Sequence, residues 1–243
     1  MKYLEVKGLK VSVEGMQIVK GVDLAVDKGE VVALMGPNGS GKSSLAFAIM
    51  GHPKYLAEGK ILVDGKDVIK APADERSKLG LFLSFQNPVE IPGVSISSFL
   101  RASLNSRLEM PINVADFRKL LKEKMLMLKI DEGFADRYLE GFSGGEKKKL
   151  EILQMLVLNP KIAILDETDS GLDIDALKIV ANGIREAIKN GTGVLVITHY
   201  KRLLEYLKPD RVYVMLGGKI VRHDGVELVE QLEREGYDWI NRD

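Results

Sequence analysis

The sequence predicts an α/β fold. It has a parallel-sheet core, an N-terminal antiparallel β subdomain and an inserted helical subdomain. Three observations predict it. Short, continuous apolar runs at Val31–Met35, Ile162–Leu165, Val194–Ile197 and Val212–Leu216 read as strands buried on both faces. Helical patterns lie between them, at about Gly41–Met50, Ser143–Leu158, Asp173–Lys189 and Lys201–Leu207. The first stretch differs: Tyr3–Val13 and Gln17–Val26 are separated by Glu14-Gly15, a hairpin signal.

Taken in order, the hairpin is followed by the Val31–Met35 strand and a helix from about Gly41. Ile61–Val63 before Asp64-Gly65 adds a strand with a turn. Residues 87–141 hold fewer strand signals. Leu100–Leu108 and Val114–Leu128 read as helices, punctuated by Pro92-Gly93 and Pro111. Gly217-Gly218 divides Val212–Leu216 from Lys219–Arg222, as in a hairpin. Gly225–Arg234 reads as an amphipathic helix. The expectation is one domain over 1–243. Residues 1–86 and 159–243 form its β-rich core, and 87–158 its helical insertion.

Composition narrows the function. Of 243 residues, 45% are hydrophobic, enough for a sizeable core. Lys+Arg and Asp+Glu both number 35, so no protein-wide basic field invites nucleic acid. No apolar run approaches the ~20 residues of a membrane span, so no direct membrane insertion is expected. The opening MKYLEVKGLK has no apolar signal region. Cysteine is absent, which rules out disulfides and Cys-ligated clusters within the chain. Cytoplasmic residence is the simplest expectation.

Gly36-Pro37-Asn38-Gly39-Ser40-Gly41-Lys42-Ser43 fits the phosphate-loop pattern G-x-x-x-x-G-K-[S/T]. Its glycines let backbone amides close around phosphate oxygens, and the following helix turns its positive end to the anion. The amides of Asn38–Ser44 are the expected cradle. Lys42 would neutralise the β- and γ-phosphates, and the Ser43 hydroxyl suits Mg²⁺. A buried strand before the loop and a helix after it argue against a chance glycine-rich turn.

Ile162–Leu165 ends in Asp166-Glu167. Carboxylates at the carboxyl end of a parallel strand stand where open α/β sheets bind ligands. Asp166 would hold Mg²⁺ through water, and Glu167 would polarise the attacking water. Alone, the pair is equally compatible with solvated strand-end residues. Phe142-Ser143-Gly144-Gly145-Glu146 opens another helix. Ser143 with Glu146 makes a capping box, and two glycines at a helix N-terminus also make a phosphate cradle.

The order of these motifs resembles the ABC-type ATPases: phosphate loop, Gln86, FSGGE, ILDE, Ser170-Gly171-Leu172-Asp173 and His199. The resemblance spans nearly the whole chain and implies an ABC ATPase nucleotide-binding domain. In that family two such domains sandwich two ATP molecules in a homodimer, so Ser143, Gly144, Gly145 and Glu146 would complete the opposite site. The resemblance implies that Gln86 senses the γ-phosphate and Mg²⁺ and links core to helical subdomain. It implies that His199 contacts the γ-phosphate and helps hold Glu167. Asp173 would cross toward the other subunit, and it is equally a helix N-cap. The family's adenine-stacking aromatic is missing: its expected positions, Val11 or Val13, are aliphatic.

Within the family, several segments look like the SufC iron–sulfur assembly ATPases. They are the run from Gln86 to Val94, the run from Gly144 to Gln154, the run from Leu165 to Lys178, Thr198-His199-Tyr200 and the terminal Gly236-Tyr237-Asp238-Trp239. Transporter ATPases more commonly read LDEPTSALD where this chain has Thr168-Asp169 and Gly171. The resemblance implies ATP and Mg²⁺ as cofactors and SufB/SufD-type scaffold proteins as partners, with cluster thiolates on the partner. The segment after Gln86, with Val89, Ile91 and Val94, would seat a partner helix, or else is an ordinary packed loop. Lys147, Lys148 and Lys149 form a solvated helix face, or one of them restrains Glu167. The principal alternative is the ATP-binding subunit of a membrane transporter. A DNA-repair or translation ATPase would add a coiled coil or a second cassette. A nucleotide-gated interaction module would lack catalysis, which intact Glu167 and His199 disfavour.

Overall fold

The computed structural model describes residues 2–85 and 90–242. β1 (Lys2–Val13) and β2 (Met16–Asp27) form the expected hairpin, with Glu14 and Gly15 both at positive φ in its turn. Then come β3 (Val31–Met35), α1 (Lys42–Met50), β4 (Leu56–Val63), β5 (Lys66–Asp67), α2 (Ala73–Lys78) and β6 (Leu81–Ser84). The insertion holds β7 (Ile91–Ser95), α3 (Ile96–Asn105), α4 (Val114–Met127), β8 (Tyr138–Leu139) and α5 (Gly144–Leu158). The chain returns through β9 (Ile162–Asp166), α6 (Ile174–Lys189), β10 (Gly193–Ile197), α7 (Lys201–Leu207), β11 (Arg211–Leu216), β12 (Lys219–Asp224) and α8 (Glu227–Glu235). Among the described residues, no helix is long and apolar enough to cross a membrane.

β1, β2, β4 and β5 make an antiparallel sheet in the order β2-β1-β4-β5. The core sheet runs β12-β11-β3-β10-β9-β6 and is parallel except for β12 at its edge. Every residue of β3, β9 and β10 is buried, which explains their uninterrupted apolar runs. Alternation divides β3 between two cores. Val31, Ala33 and Met35 face the helices α5, α6, α7 and α8, while Val32 and Leu34 face α1 and the antiparallel sheet. α5 and α6 pack so closely that a Cβ on Gly183 would lie 2.5 Å from Ile152 Cγ2. That contact explains a glycine in mid-helix.

Register brings the carboxyl ends of the central strands level. Ile197 pairs with both Leu34 and Asp166, and Val214 pairs with Met35. The loops that follow β3, β9 and β10 therefore leave the sheet side by side.

The insertion departs from expectation in detail. Its first helix starts at Ile96, not Leu100, because the Ser95 hydroxyl caps it by accepting from Ser98 N at 3.2 Å. A strand, β7, precedes it and pairs with β8. Val94, read as a candidate docking residue, is half-buried against the helical core. Ile91 remains exposed, and Val89 lies outside the described residues. α2 has no counterpart in the sequence reading. Arg107 ties the insertion to the core: its guanidinium donates to the carbonyls of Leu81 and Leu158 at 3.0 Å each and to Ser77.

Candidate functional site

β3 ends at Met35, and the chain turns at once into the phosphate loop. A Cβ on Gly36 would lie 2.3 Å from Met215 O, so no larger residue fits there. Gly41 takes a left-handed conformation, φ 104°, and caps α1, which begins at Lys42. The Lys42 ammonium is buried under the loop and donates to Gly36 O at 2.7 Å and Pro37 O at 3.0 Å. Burial pulls its pKa down, while the nearby charges of Glu167 and Asp166 oppose that shift. Asn38, Gly39, Gly41, Lys42, Ser43 and Ser44 line a cleft of about 450 Å³ together with Ile18 and Glu167. Gly36 and Ser40 are buried and form the floor of the loop; Pro37 is on its exposed flank.

Asp166 ends β9 and is 2% exposed. Burial raises its pKa, and a hydrogen bond with the Ser43 side chain works against the rise. Its Oδ1 atom has no hydrogen-bond partner. A buried orphan carboxylate oxygen beside a serine hydroxyl is an oxygen donor set that suits a small hard cation such as Mg²⁺. Among the described residues, no group of three or more His, Cys, Asp or Glu gathers as a metal cage. Mg²⁺ in phosphate sites relies on few protein ligands and completes its shell with phosphate and water.

Glu167 is the next residue, at φ 49°. This left-handed conformation, costly for a non-glycine residue, ends the strand and turns the side chain to the cleft. Two backbone bonds hold the turn: Glu167 N donates to Ile197 O at 2.9 Å, and Ser170 N donates to Glu167 O at 3.1 Å. His199, just beyond β10, approaches Glu167 with Nδ1 3.3 Å from Oε1, outside good hydrogen-bond geometry.

Sequence reasoning gave no role to the groups that fix these loops. The Thr198 hydroxyl donates to the Asp169 carboxylate, at 3.1 and 3.0 Å from its two oxygens, and accepts from Tyr200 N at 3.0 Å. Thr168 Oγ1 lies 3.3 Å from Ser84 Oγ. All four side chains are at most 1% exposed. Ile18 was also missed. Of the two positions expected to face a base, Val11 is fully buried inside the β subdomain and cannot meet one, and Val13 is half-buried; Ile18 lines the cleft.

The FSGGE segment forms its capping box. Ser143 Oγ accepts from Glu146 N at 3.3 Å, and the Glu146 carboxylate accepts from Ser143 N at 2.9 Å. The Arg137 guanidinium, then the Ser143 backbone and hydroxyl, hold the Glu146 carboxyl down to about 2. Ser143, Gly144, Gly145 and Glu146 do not line the phosphate-loop cleft of their own chain. Nor does Asp173, whose carboxylate caps α6 by accepting from Ala176 N at 2.7 Å. Lys147 pairs with Glu90 at 3.0 Å and Lys148 with Glu151 at 3.3 Å. Gln86 lies outside the described residues.

The chain matches the family model described as ABC transporter over residues 19–170. It is 53% identical to Vegetative protein 296 of Bacillus subtilis, covering 99% of this chain and 94% of that protein. It is 49% identical to the probable ATP-dependent transporter ycf16 of Cyanophora paradoxa, covering 99% and 95%. Its fold matches the crystal structure of a nucleotide-free ATP-binding cassette from an ABC transporter, with TM-score 0.79, 26% identity, and coverage of 97% and 96%. A family match over most of the chain, joined to a cassette fold, makes this chain a member of the ABC transporter family, an ATP-binding ABC ATPase whose typical activity is ATP hydrolysis.

Proposed function

We propose that this chain is a Mg²⁺-dependent ATPase that closes into a homodimer on ATP. Its closure drives a conformational change in a SufB/SufD-type scaffold during cytoplasmic iron–sulfur cluster assembly. The meeting of Lys42, Ser43 and Glu167 at one cleft, with Asp166 beside Ser43, carries the reading. Backbone amides of residues 38–44 cradle the phosphates and Lys42 neutralises them. Ser43 and Asp166 would hold Mg²⁺, and the family resemblance adds Gln86 as a sensor of the ion and the γ-phosphate. Bound there, the ion would neutralise phosphate charge. Glu167 takes the proton of the attacking water, and His199 steadies Glu167 and contacts the γ-phosphate.

The Ser143–Glu146 helix end, exposed at Ser143 and Gly144, serves the partner subunit's nucleotide. Residues 87–158 act as the helical arm that carries it. An isolated subunit lacks these donors over its own cleft, so hydrolysis is slow until closure.

The scaffold reading is supported by Thr168 and Asp169, where transporter ATPases more commonly carry Pro-Thr. Both side chains are buried, and their partners belong to the strands and loops around the site. The departure from the transporter pattern is thus built into the core. A second reading, the ATP-binding subunit of a membrane transporter, is favoured by the family description and by the name of the Cyanophora relative.

Purification of the tagged chain from its host, followed by mass spectrometry of the bound chains, separates the two. A soluble, cysteine-bearing scaffold is the expected partner. A polytopic membrane protein would replace the scaffold reading with transport and leave the ATP site as described.

A further inference from the structure

We propose that Arg137 is a positioning residue for ATP hydrolysis, which holds the Ser143–Glu146 helix end in shape to meet the nucleotide of the partner subunit. The inference deepens the closed-dimer reading and rests on it. Arg137 stands between a helical turn, Glu132–Asp136, and β8. Its guanidinium donates to Glu146 Oε1 and lies 4.6 Å from the centre of the Phe142 ring and 5.3 Å from that of Phe134. Phe142 precedes Ser143 and Glu146 follows Gly145, so one side chain grips both ends of the glycine segment. The other Glu146 oxygen, Oε2, accepts from Ser143 N at 2.9 Å and Ser143 Oγ at 2.8 Å. The Arg137 and Glu146 side chains are 42% and 36% exposed, and such a pair alone would hold little. Here two buried rings, 5.3 Å apart between centroids, fix the guanidinium from its other side.

The backbone of Arg137 ties the same element to the start of α3. Its carbonyl accepts from Ile96 N at 3.0 Å, and Leu139 of β8 pairs with Ile91 of β7. Glu90 adds an ion pair with Lys147 at 3.0 Å, one residue beyond Glu146. Residues 90–96 are thereby fastened to the helix end at three points. The end so held points to use outside its own subunit. Ser143, Gly144, Gly145 and Glu146 do not line their own phosphate-loop cleft. A Cβ on Gly144 or Gly145 would meet nothing within 4 Å, and neither glycine is at positive φ. Packing and backbone conformation within the chain therefore do not require glycine at either position, although each costs a helix about 1 kcal/mol relative to alanine. Open glycines held rigid by Arg137 leave room for a group that approaches from another molecule.

The test adds Arg137→Ala to the full chain carrying Glu167→Gln, in excess Mg²⁺ and ATP. Sedimentation measures the dimer dissociation constant, and equilibrium binding at low protein concentration measures the ATP Kd. The expected result is a dimer constant raised about 10-fold or more, the scale of a lost charge-assisted hydrogen bond. The ATP Kd of the single subunit should stay within about twofold, because its own cleft does not use Arg137. Arg137→Lys, which keeps the charge and loses the planar stack on the rings, should fall between the two. A residue that only supports its own subunit's fold would leave the dimer constant unchanged, and that result overturns the proposal. An ATP Kd that weakens as much as dimerisation also overturns it. If Arg137→Ala does not fold, Arg137→Met keeps a long stem over the rings and removes the charge. A weakened dimer in that variant supports the proposal and an unchanged one overturns it. If Glu167→Gln alone forms no dimer with ATP, the closed-dimer reading itself fails; if it dimerises and Arg137→Ala changes nothing, only the role of Arg137 fails.

Discussion

Glu167 Oε1 and His199 Nδ1 stand 3.3 Å apart across the ends of two neighbouring parallel strands. Neither residue reaches this position by local sequence alone. Pairing of Ile197 with Asp166 sets the strand ends level, and the left-handed turn at Glu167 aims its side chain. A carboxylate lining the phosphate-loop cleft with an imidazole beside it suits the general-base role proposed for Glu167.

Asp166→Asn should raise the Mg²⁺ concentration needed for half-maximal ATPase activity by about tenfold or more, the usual cost of losing an outer-shell carboxylate. The substitution preserves shape, so folding should survive. A Mg²⁺ titration of the variant checks this, and an unchanged requirement would remove Asp166 from the metal site.

Acid should weaken the start of α5 through Glu146. Its carboxyl titrates near 4.5 when free and at about 2 in the fold, chiefly through Arg137. Folding therefore favours the ionised form. The contribution is complete above about pH 4.5 and disappears as pH falls toward about 2. The side chain is 36% exposed, so solvent screening keeps the effect small. The difference in melting temperature between wild type and Glu146→Gln should be constant near neutrality and shrink to nothing at the acid end. A difference that grows as pH falls would contradict the assignment.

Lys148 and Glu151 form an ion pair with side chains 9% and 4% exposed. Burial raises the Glu151 pKa, and Lys148 opposes the rise. Lys148→Ala strands that carboxyl and should cost about 3 kcal/mol of stability. The double variant Lys148→Met/Glu151→Leu should recover most of the loss. Chemical denaturation of both proteins gives the answer. Equal stability of Lys148→Ala and wild type would show that the pair contributes nothing.

The fold class was legible because each of its parts writes a local pattern. Strands buried on both faces give unbroken apolar runs such as Val194–Ile197, and the phosphate loop demands glycine where Met215 O leaves no room for a Cβ at Gly36. The caps at Ser143 and Asp173 were legible for the same reason.

Errors arose where facing depends on partners. β1 carries register irregularities against β2, including one between Val11 and Ser12, and each such shift changes which side chains turn inward. Alternation from Leu9 through exposed Lys10 already puts Val11 in the core, but it gives no sign that Ile18, on the paired strand, lines the cleft. β7 was hidden because it is short, mostly exposed and contains Pro92 and Gly93. The Thr198–Asp169 bond joins residues far apart in the chain, and neither type signals its partner.

The central claim is that Glu167 activates water in a cleft whose ATP binding depends on other residues. The most direct measurement is ATP turnover, ATP binding and sedimentation of Glu167→Gln in excess Mg²⁺ and ATP. We expect kcat to fall by about 100-fold or more, ATP affinity to stay within a few-fold of wild type, and a nucleotide-bound dimer to accumulate. Wild-type turnover in this variant would contradict the assignment of Glu167 as the base.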